Sequence, residues 1–192
     1  GNRRFLLADF TTTHNTIFSI FLCQKIQYKT TILCHRINLV DQWEYSIKKV
    51  CPKAKIQILN TNTIIDSNCD FYIMNVSTVT KRKIEDFKNI GVLIVDEAHT
   101  ICTENLSSSL FYFFPEYLIF LTATPERTDG MGKILELYSG NNIIERKLFR
   151  PFNVYVLNTN IQIKGQQNNQ GRLDWNSVLE KQCLDEDRNM LI

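Results

Sequence analysis

No apolar run in this 192-residue chain approaches the roughly 18 consecutive residues that a membrane-spanning helix requires. No membrane contact is therefore expected. The amino terminus, Gly1-Asn2-Arg3-Arg4, passes directly into Phe5-Leu6-Leu7-Ala8. That apolar part is too short for a signal peptide and reads as the start of a strand. The six cysteines (Cys23, Cys34, Cys51, Cys69, Cys102, Cys183) form no Cys-x-x-Cys pair and no zinc spacing. Several lie within apolar patterns, where a thiol behaves as a small hydrophobe. Reduced cysteines in an intracellular compartment, cytoplasm or nucleus, are the expectation. There is no internal repeat. Charge of one sign is also scarce: 22 Lys and Arg against 20 Asp and Glu leave +2. Such a surplus neither demonstrates nucleic-acid binding nor opposes it. What is present is ordinary globular composition, 44% hydrophobic and 22% charged, enough for one domain with a substantial core.

Along the chain, short apolar runs alternate with helical periodicity. Strands are predicted at Phe5–Ala8, Thr30–Cys34, Ile56–Leu59, Phe71–Met74, 91–96, Tyr117–Leu121 and Phe152–Leu157. Apolar residues at Ile17, Ile20, Phe21 and Ile26 predict a helix over 16–27 after a threonine-rich loop, 9–15. Leu39, Trp43, Ile47 and Val50 recur at three- and four-residue steps and predict a second helix, which Pro52 stops. Further helices are predicted over 81–87, within 104–113, after Gly130 through Tyr138, and after Asp174, a capping residue. The last of these carries Trp175, Val178 and Leu179. The aromatic run 111–114 reads as core, and the polar stretch 160–172 as a mobile loop. The alternation predicts an α/β fold, a mostly parallel sheet with helices on both faces. The chain stops on Met190-Leu191-Ile192, apolar residues that are expected to continue into another domain.

The stretch Val92-Leu93-Ile94-Val95-Asp96-Glu97-Ala98-His99 organises the rest. Four apolar residues, three of them β-branched, read as a buried parallel strand that runs straight into two carboxylates and a histidine. Ligands in open α/β sheets bind just beyond the carboxyl ends of such strands. The competing reading is an acidic surface loop.

A second motif favours the site. Leu121-Thr122-Ala123-Thr124-Pro125-Glu126-Arg127-Thr128-Asp129-Gly130 begins 25 positions after Asp96. Together with Asp96-Glu97-Ala98-His99 it resembles the first RecA-like domain of superfamily 2 helicases and translocases. The closer resemblance is to the DEAH-containing branch of repair and transcription helicases and of large DNA viruses. Residues 32–43, Ile-Leu-Cys-His-Arg-Ile-Asn-Leu-Val-Asp-Gln-Trp, resemble motif Ia of that branch, and residues 74–80 resemble its motif Ib region.

The resemblance implies a RecA-like three-layer sandwich over 1–150. Residues 151–192 would then be a strand, loop and helix leading to a second RecA-like domain in cis. It implies ATP and Mg²⁺ as cofactors, with DNA or RNA and protein partners. Asp96 and Thr16 would hold Mg²⁺, Glu97 would orient and deprotonate the attacking water, and His99 would couple the site to neighbouring motifs. Thr122, Thr124, Arg127 and Asp129 would link hydrolysis to movement; simple turn capping before Pro125 is the plainer reading of the threonines. His35, Arg36, Ser77, Thr78 and Lys81 fall at family positions along the nucleic-acid track. Hydroxyls, amides and cations there suit phosphate contact without reading sequence. Against that, Lys81-Arg82-Lys83 also reads as a generic solvated face. Trp43 and Trp175 read as core or helix-packing residues rather than base-stacking platforms.

The resemblance breaks at the nucleotide loop. Where the family carries G-x-G-K-[ST], this chain has Thr12-Thr13-His14-Asn15-Thr16. Glycines let the backbone wrap phosphates closely, and the lysine supplies a cation to them. Both glycines are gone, Asn15 stands in the lysine's place, and only the Thr16 hydroxyl is kept. Arg3 or Arg4 could replace the cation only if the fold brought them there. Two functions stay open, a weakened or lost ATPase that keeps a binding role and an active one with a divergent loop. In neither is this chain alone expected to unwind a duplex.

Overall fold

A computed structural model describes residues 4–6, 12–101, 103, 107–123, 132–140, 142–144, 153, 166–167 and 171–190, with side chains described from residue 15 onward. The chain divides into two compact units, Gly1–Arg146 and Lys147–Ile192.

Among the described residues, the first unit is built on a five-stranded parallel sheet. Its strands are β3 (Thr30–Cys34), β4 (Ile56–Leu59), β5 (Phe71–Asn75), β6 (Val92–Asp96) and β7 (Tyr117–Leu121), in the order β4-β5-β3-β6-β7. From β3 the chain first builds one flank of the sheet and then returns to build the other. The order therefore reverses at β3, and its carboxyl end is the switch point where such sheets place ligands.

Successive strand residues alternate between two cores. Ile32, Cys34, Phe71, Ile73, Val92 and Ile94 pack on one face with Ile20, Cys23, Val40, Trp43 and Ile47. Those partners belong to helices α1 (Asn15–Ile26) and α2 (Ile37–Val50). Leu33, Tyr72, Met74, Leu93 and Val95 face the other way, toward Val76 and Val79 of the short helix α3 (Val76–Val79), Phe87, Leu110, Phe113 and Leu135 of α4 (Gly132–Ser139). This is a three-layer α/β sandwich. Each fully buried Ile, Leu or Val contributes about 1.5–3 kcal/mol, which is why these central strands read as continuous apolar runs rather than alternating ones. α2 forms because Val40, Trp43 and Ile47 share one face, and Lys48 and Lys49 in its last turn suit the helix dipole.

Several sequence expectations need correction. Of the predicted first strand, Phe5–Ala8, the described residues Phe5 and Leu6 lie outside the parallel sheet. Instead β1 (Arg4–Leu6) pairs antiparallel with β2 (Thr12–His14) in a separate two-stranded sheet. The predicted loop 9–15 thus contains a strand, because a glycine-free run of β-branched threonines prefers extended backbone. The predicted helix over 81–87 is a short 3₁₀ turn, Ile84–Phe87. Within the predicted 104–113, Ser107 is helical, its amide donating to the Thr103 carbonyl at 2.9 Å, and a 3₁₀ turn follows at Ser108–Tyr112, while 104–106 lie outside the described residues. Three consecutive serines, poor helix formers, precede and enter the second. Of the aromatic run, Phe113 is buried against Phe87, with ring centroids 4.4 Å apart, whereas Phe111 and Phe114 are exposed.

In the second unit, Gln167 and Leu173 form an isolated antiparallel bridge. Helix α5 (Trp175–Leu184) follows, capped by the Asp174 carboxylate, which accepts from the Asn176 amide at 3.0 Å. A short helix, α6 (Glu186–Asn189), ends the described chain. Trp175, expected in a core, is 67% exposed, since Val178 is the buried residue of its helix. The predicted strand 152–157 and most of 160–172 lie outside the described residues.

Candidate active site

The carboxyl ends of the parallel strands carry most of the polar residues singled out in the sequence. Asp96 ends β6, Thr122 follows β7, His35 and Arg36 follow β3, and Ser77 and Thr78 lie in α3 directly after β5. Parallel register makes these ends neighbours along one edge.

Asp96 is held from both sides. Its Oδ1 accepts from the Glu97 amide at 3.0 Å, and its Oδ2 accepts from the indole Nε1 of Trp43 at 2.8 Å. Burial raises the Asp96 pKa above the usual carboxylate value; those two hydrogen bonds oppose the shift. The same carboxylate helps push up the Cys34 thiol, which burial raises first.

Glu97 adopts a left-handed backbone, φ 49° and ψ 49°, unusual outside glycine and costly by about 1–3 kcal/mol. The turn is fastened by the Thr100 amide and hydroxyl, both donating to the Glu97 carbonyl at 2.8 Å. It brings the Glu97 carboxylate to the His99 ring, with Oε2 3.5 Å from Nδ1. The same nitrogen shares a hydrogen bond with Thr122 Oγ1 at 3.0 Å. Glu97, His99 and Thr122 therefore form one connected polar group spanning β6 and β7. Thr124, Arg127 and Asp129 lie outside the described residues.

His35 Nδ1 is buried with no hydrogen-bond partner among the described residues. Its pKa is lowered by burial and then by the Arg36 guanidinium, with Glu97 and Asp96 opposing. Arg36, Ser77 and Lys81 are exposed. Ser77 donates from its amide and its hydroxyl to Asn75 Oδ1, at 3.0 and 2.7 Å, which fixes the start of α3. Arg82 departs from the basic-run reading. It donates to Asp86 and to the carbonyls of Asn60 and Thr63, and so clamps the connection between β4 and β5.

Across the cleft, α1 begins at Asn15, whose Oδ1 accepts from the Thr16 amide at 2.9 Å. A cleft of about 340 Å³ lies between Thr16 at this helix start, Gln42, Trp43 and Tyr45 of α2, and Asp96. Thr12, Thr13 and His14 form β2 rather than a loop. Among the described residues no cluster of three or more His, Cys, Asp or Glu could hold a metal, and no helix is long and apolar enough to cross a membrane. Mg²⁺ needs no such cluster. It takes one or two carboxylates and fills its remaining positions with water and substrate phosphates. Asp96 and the Thr16 hydroxyl, lining one cleft, fit that chemistry.

Sequence reasoning missed the role of Trp43. It is 1% exposed, as expected of a core residue, and it is also the donor to Asp96. The available signal was chemical, since a buried indole N–H needs an acceptor.

Residues 1–127 match the family described as the type III restriction enzyme res subunit, ResIII. The chain is 33% identical over its whole length to helicase candidate 161L of Invertebrate iridescent virus 6, covering 45% of that protein. It is 32% identical over 80% of its length to helicase candidate 109L of Invertebrate iridescent virus 3, covering 49% of that relative. An ATP-dependent RNA helicase candidate, L396 of Acanthamoeba polyphaga mimivirus, is 29% identical over 65% of the chain and 24% of its own length. The chain thus spans about half the length of its two iridescent-virus relatives. With the family match covering the parallel sheet and its switch-point edge, the chain belongs to the ResIII family and is a first RecA-like domain of the superfamily 2 helicase type.

Proposed function

We propose that this domain holds a magnesium–nucleotide at the Asp96–Thr16 cleft and tracks nucleic acid along the strand-end edge, with ATP binding and turnover weakened by its nucleotide loop. One observation carries the weakening. Where a phosphate-binding loop would present free amides and a lysine, Thr12–His14 is paired in β2 and the Thr16 amide donates to Asn15 Oδ1. Losing a charge-assisted contact forfeits about 1.5–3 kcal/mol of binding. Losing a transition-state donor costs about 10²–10³ in rate. His35 does not restore the cation, because its lowered pKa favours the neutral ring at pH 7.

The remaining parts suit phosphoryl transfer to water. Glu97 is the general base of this reading, supported by its place directly after Asp96 and by the left-handed turn that sets its carboxylate beside His99. His99 joins it to Thr122, so a change at one strand end is felt at the next. Bound Mg²⁺ would supply neutralisation of charge on the phosphates. ATP as the nucleotide is supported by the named ATP-dependent relative. His35, Arg36, Ser77, Thr78 and Lys81 contact phosphates of DNA or RNA, and residues 151–192 lead toward a second RecA-like domain that completes the catalytic interface. A second reading, an active helicase or translocase with a divergent loop, is favoured by the connected Glu97–His99–Thr122 group.

The full-length protein separates the two readings through ATP affinity and nucleic-acid-stimulated hydrolysis. Weak Mg²⁺-dependent binding with little turnover is expected. Vigorous turnover that Glu97→Gln abolishes would establish the active reading instead.

A further inference from the structure

We propose that Trp43 is the positioning residue for Asp96. This rests on the reading of Asp96 as the Mg²⁺-side carboxylate, and it assigns to a core side chain the task of aiming that carboxylate into the cleft.

The geometry is specific. Trp43 lies 53 positions from Asp96 in the chain, yet its Nε1–H donates to Oδ2 at 2.8 Å while the Glu97 amide holds Oδ1 at 3.0 Å. With a donor on each oxygen, the carboxylate plane cannot rotate without breaking a bond. A carboxylate offers about four lone-pair sites, so accepting two hydrogen bonds leaves room for a cation. The donor itself is immobile. The Trp43 ring is packed in the core formed by α1, α2 and the sheet, among Ile20, Ile47 and Ile94. Indole is also a donor with no acceptor lone pair in the ring plane. It therefore orients Asp96 without competing for the metal, as a serine or asparagine at the same place would. Trp43 also walls the cleft that contains Thr16 and Asp96. Partners that orient a metal ligand typically contribute about 10–100-fold to metal affinity.

The test uses the full-length protein and a fluorescent ADP analogue titrated at a series of MgCl₂ concentrations. Trp43→Phe removes the N–H and part of the ring. A benzothienylalanine at position 43 keeps the bicyclic shape and replaces the N–H with sulfur, so it separates donation from packing. Both variants are expected to raise the half-saturating Mg²⁺ concentration about tenfold or more. Relative to the wild type, the Trp43 indole proton resonance is expected to move upfield in Asp96→Ala, which removes its acceptor. Wild-type Mg²⁺ dependence in the benzothienyl variant overturns the proposal and leaves Trp43 a packing residue. An indole resonance indifferent to Asp96→Ala overturns it as well. Absence of any Mg²⁺-dependent binding in the wild type overturns the nucleotide-site reading, and this inference with it.

Discussion

Glu97 carries the site's strain. A left-handed glutamate is tolerated because its carbonyl is fastened by Thr100 and its amide by Asp96, and the conformation turns the carboxylate toward His99 rather than along the strand axis. Glycine reaches this region freely, whereas alanine pays the same steric penalty as glutamate. The pair Glu97→Gly and Glu97→Ala therefore isolates the backbone, since both delete the carboxylate. Glu97→Gly is expected to be the more stable of the two by about 1 kcal/mol in urea unfolding, and neither should support hydrolysis. An alanine variant as stable as the glycine one would mean that the turn is not left-handed in solution.

The elements show which parts of this architecture the chain announces. β3, β4 and β7 lie where their apolar runs end, and β6 delivers Asp96 to the carboxyl edge as its sequence suggests. β3 and β6 are legible because burial on both faces leaves no alternation to confuse them, and the edge strands β4 and β7 because their apolar runs are short and bounded by polar or turn residues. The hairpin of β1 and β2 was not legible, since a strand of three threonine-rich residues is decided by its partner rather than by its own pattern. Trp43 was half legible, because its burial follows from α2 periodicity whereas its bond to Asp96 depends on tertiary placement.

Gly91, at the start of β6, tests the sheet as an element. A Cβ there would meet Tyr28 Cβ and Cγ at 2.8 Å. Retreat is blocked, because the Gly91 amide donates to the Lys29 carbonyl and its carbonyl accepts from the Tyr117 amide, both at 3.0 Å. Gly91→Ala is therefore expected to cost about 1–3 kcal/mol of stability, as overpacking does. The site lies at the opposite end of the strand, so the Mg²⁺ dependence of nucleotide binding should not change. A thermal midpoint equal to that of the wild type would show that Tyr28 yields freely.

At the scale of the whole chain, a net charge of +2 gives no general positive field. On the proposed reading, nucleic acid is therefore held by a few cations placed along one edge. Parallel register sets the ends of β3 and β5 side by side, and the cations that follow them, Arg36 and Lys81, are exposed. Arg82, next to Lys81, is committed to Asn60, Thr63 and Asp86 and contributes structure instead of contact. Each neutralised phosphate releases counterions and adds about −0.9 to the slope of log K against log salt on duplex DNA, or about −0.7 on a single strand. In the full-length protein, Arg36→Ala with Lys81→Ala should therefore flatten that slope by about 1.4–1.8, with similar weakening across unrelated sequences. Arg82→Ala should leave the slope unchanged while lowering stability, because it frees the β4–β5 connection. A slope indifferent to the double substitution would move the nucleic-acid track away from the β3 and β5 ends.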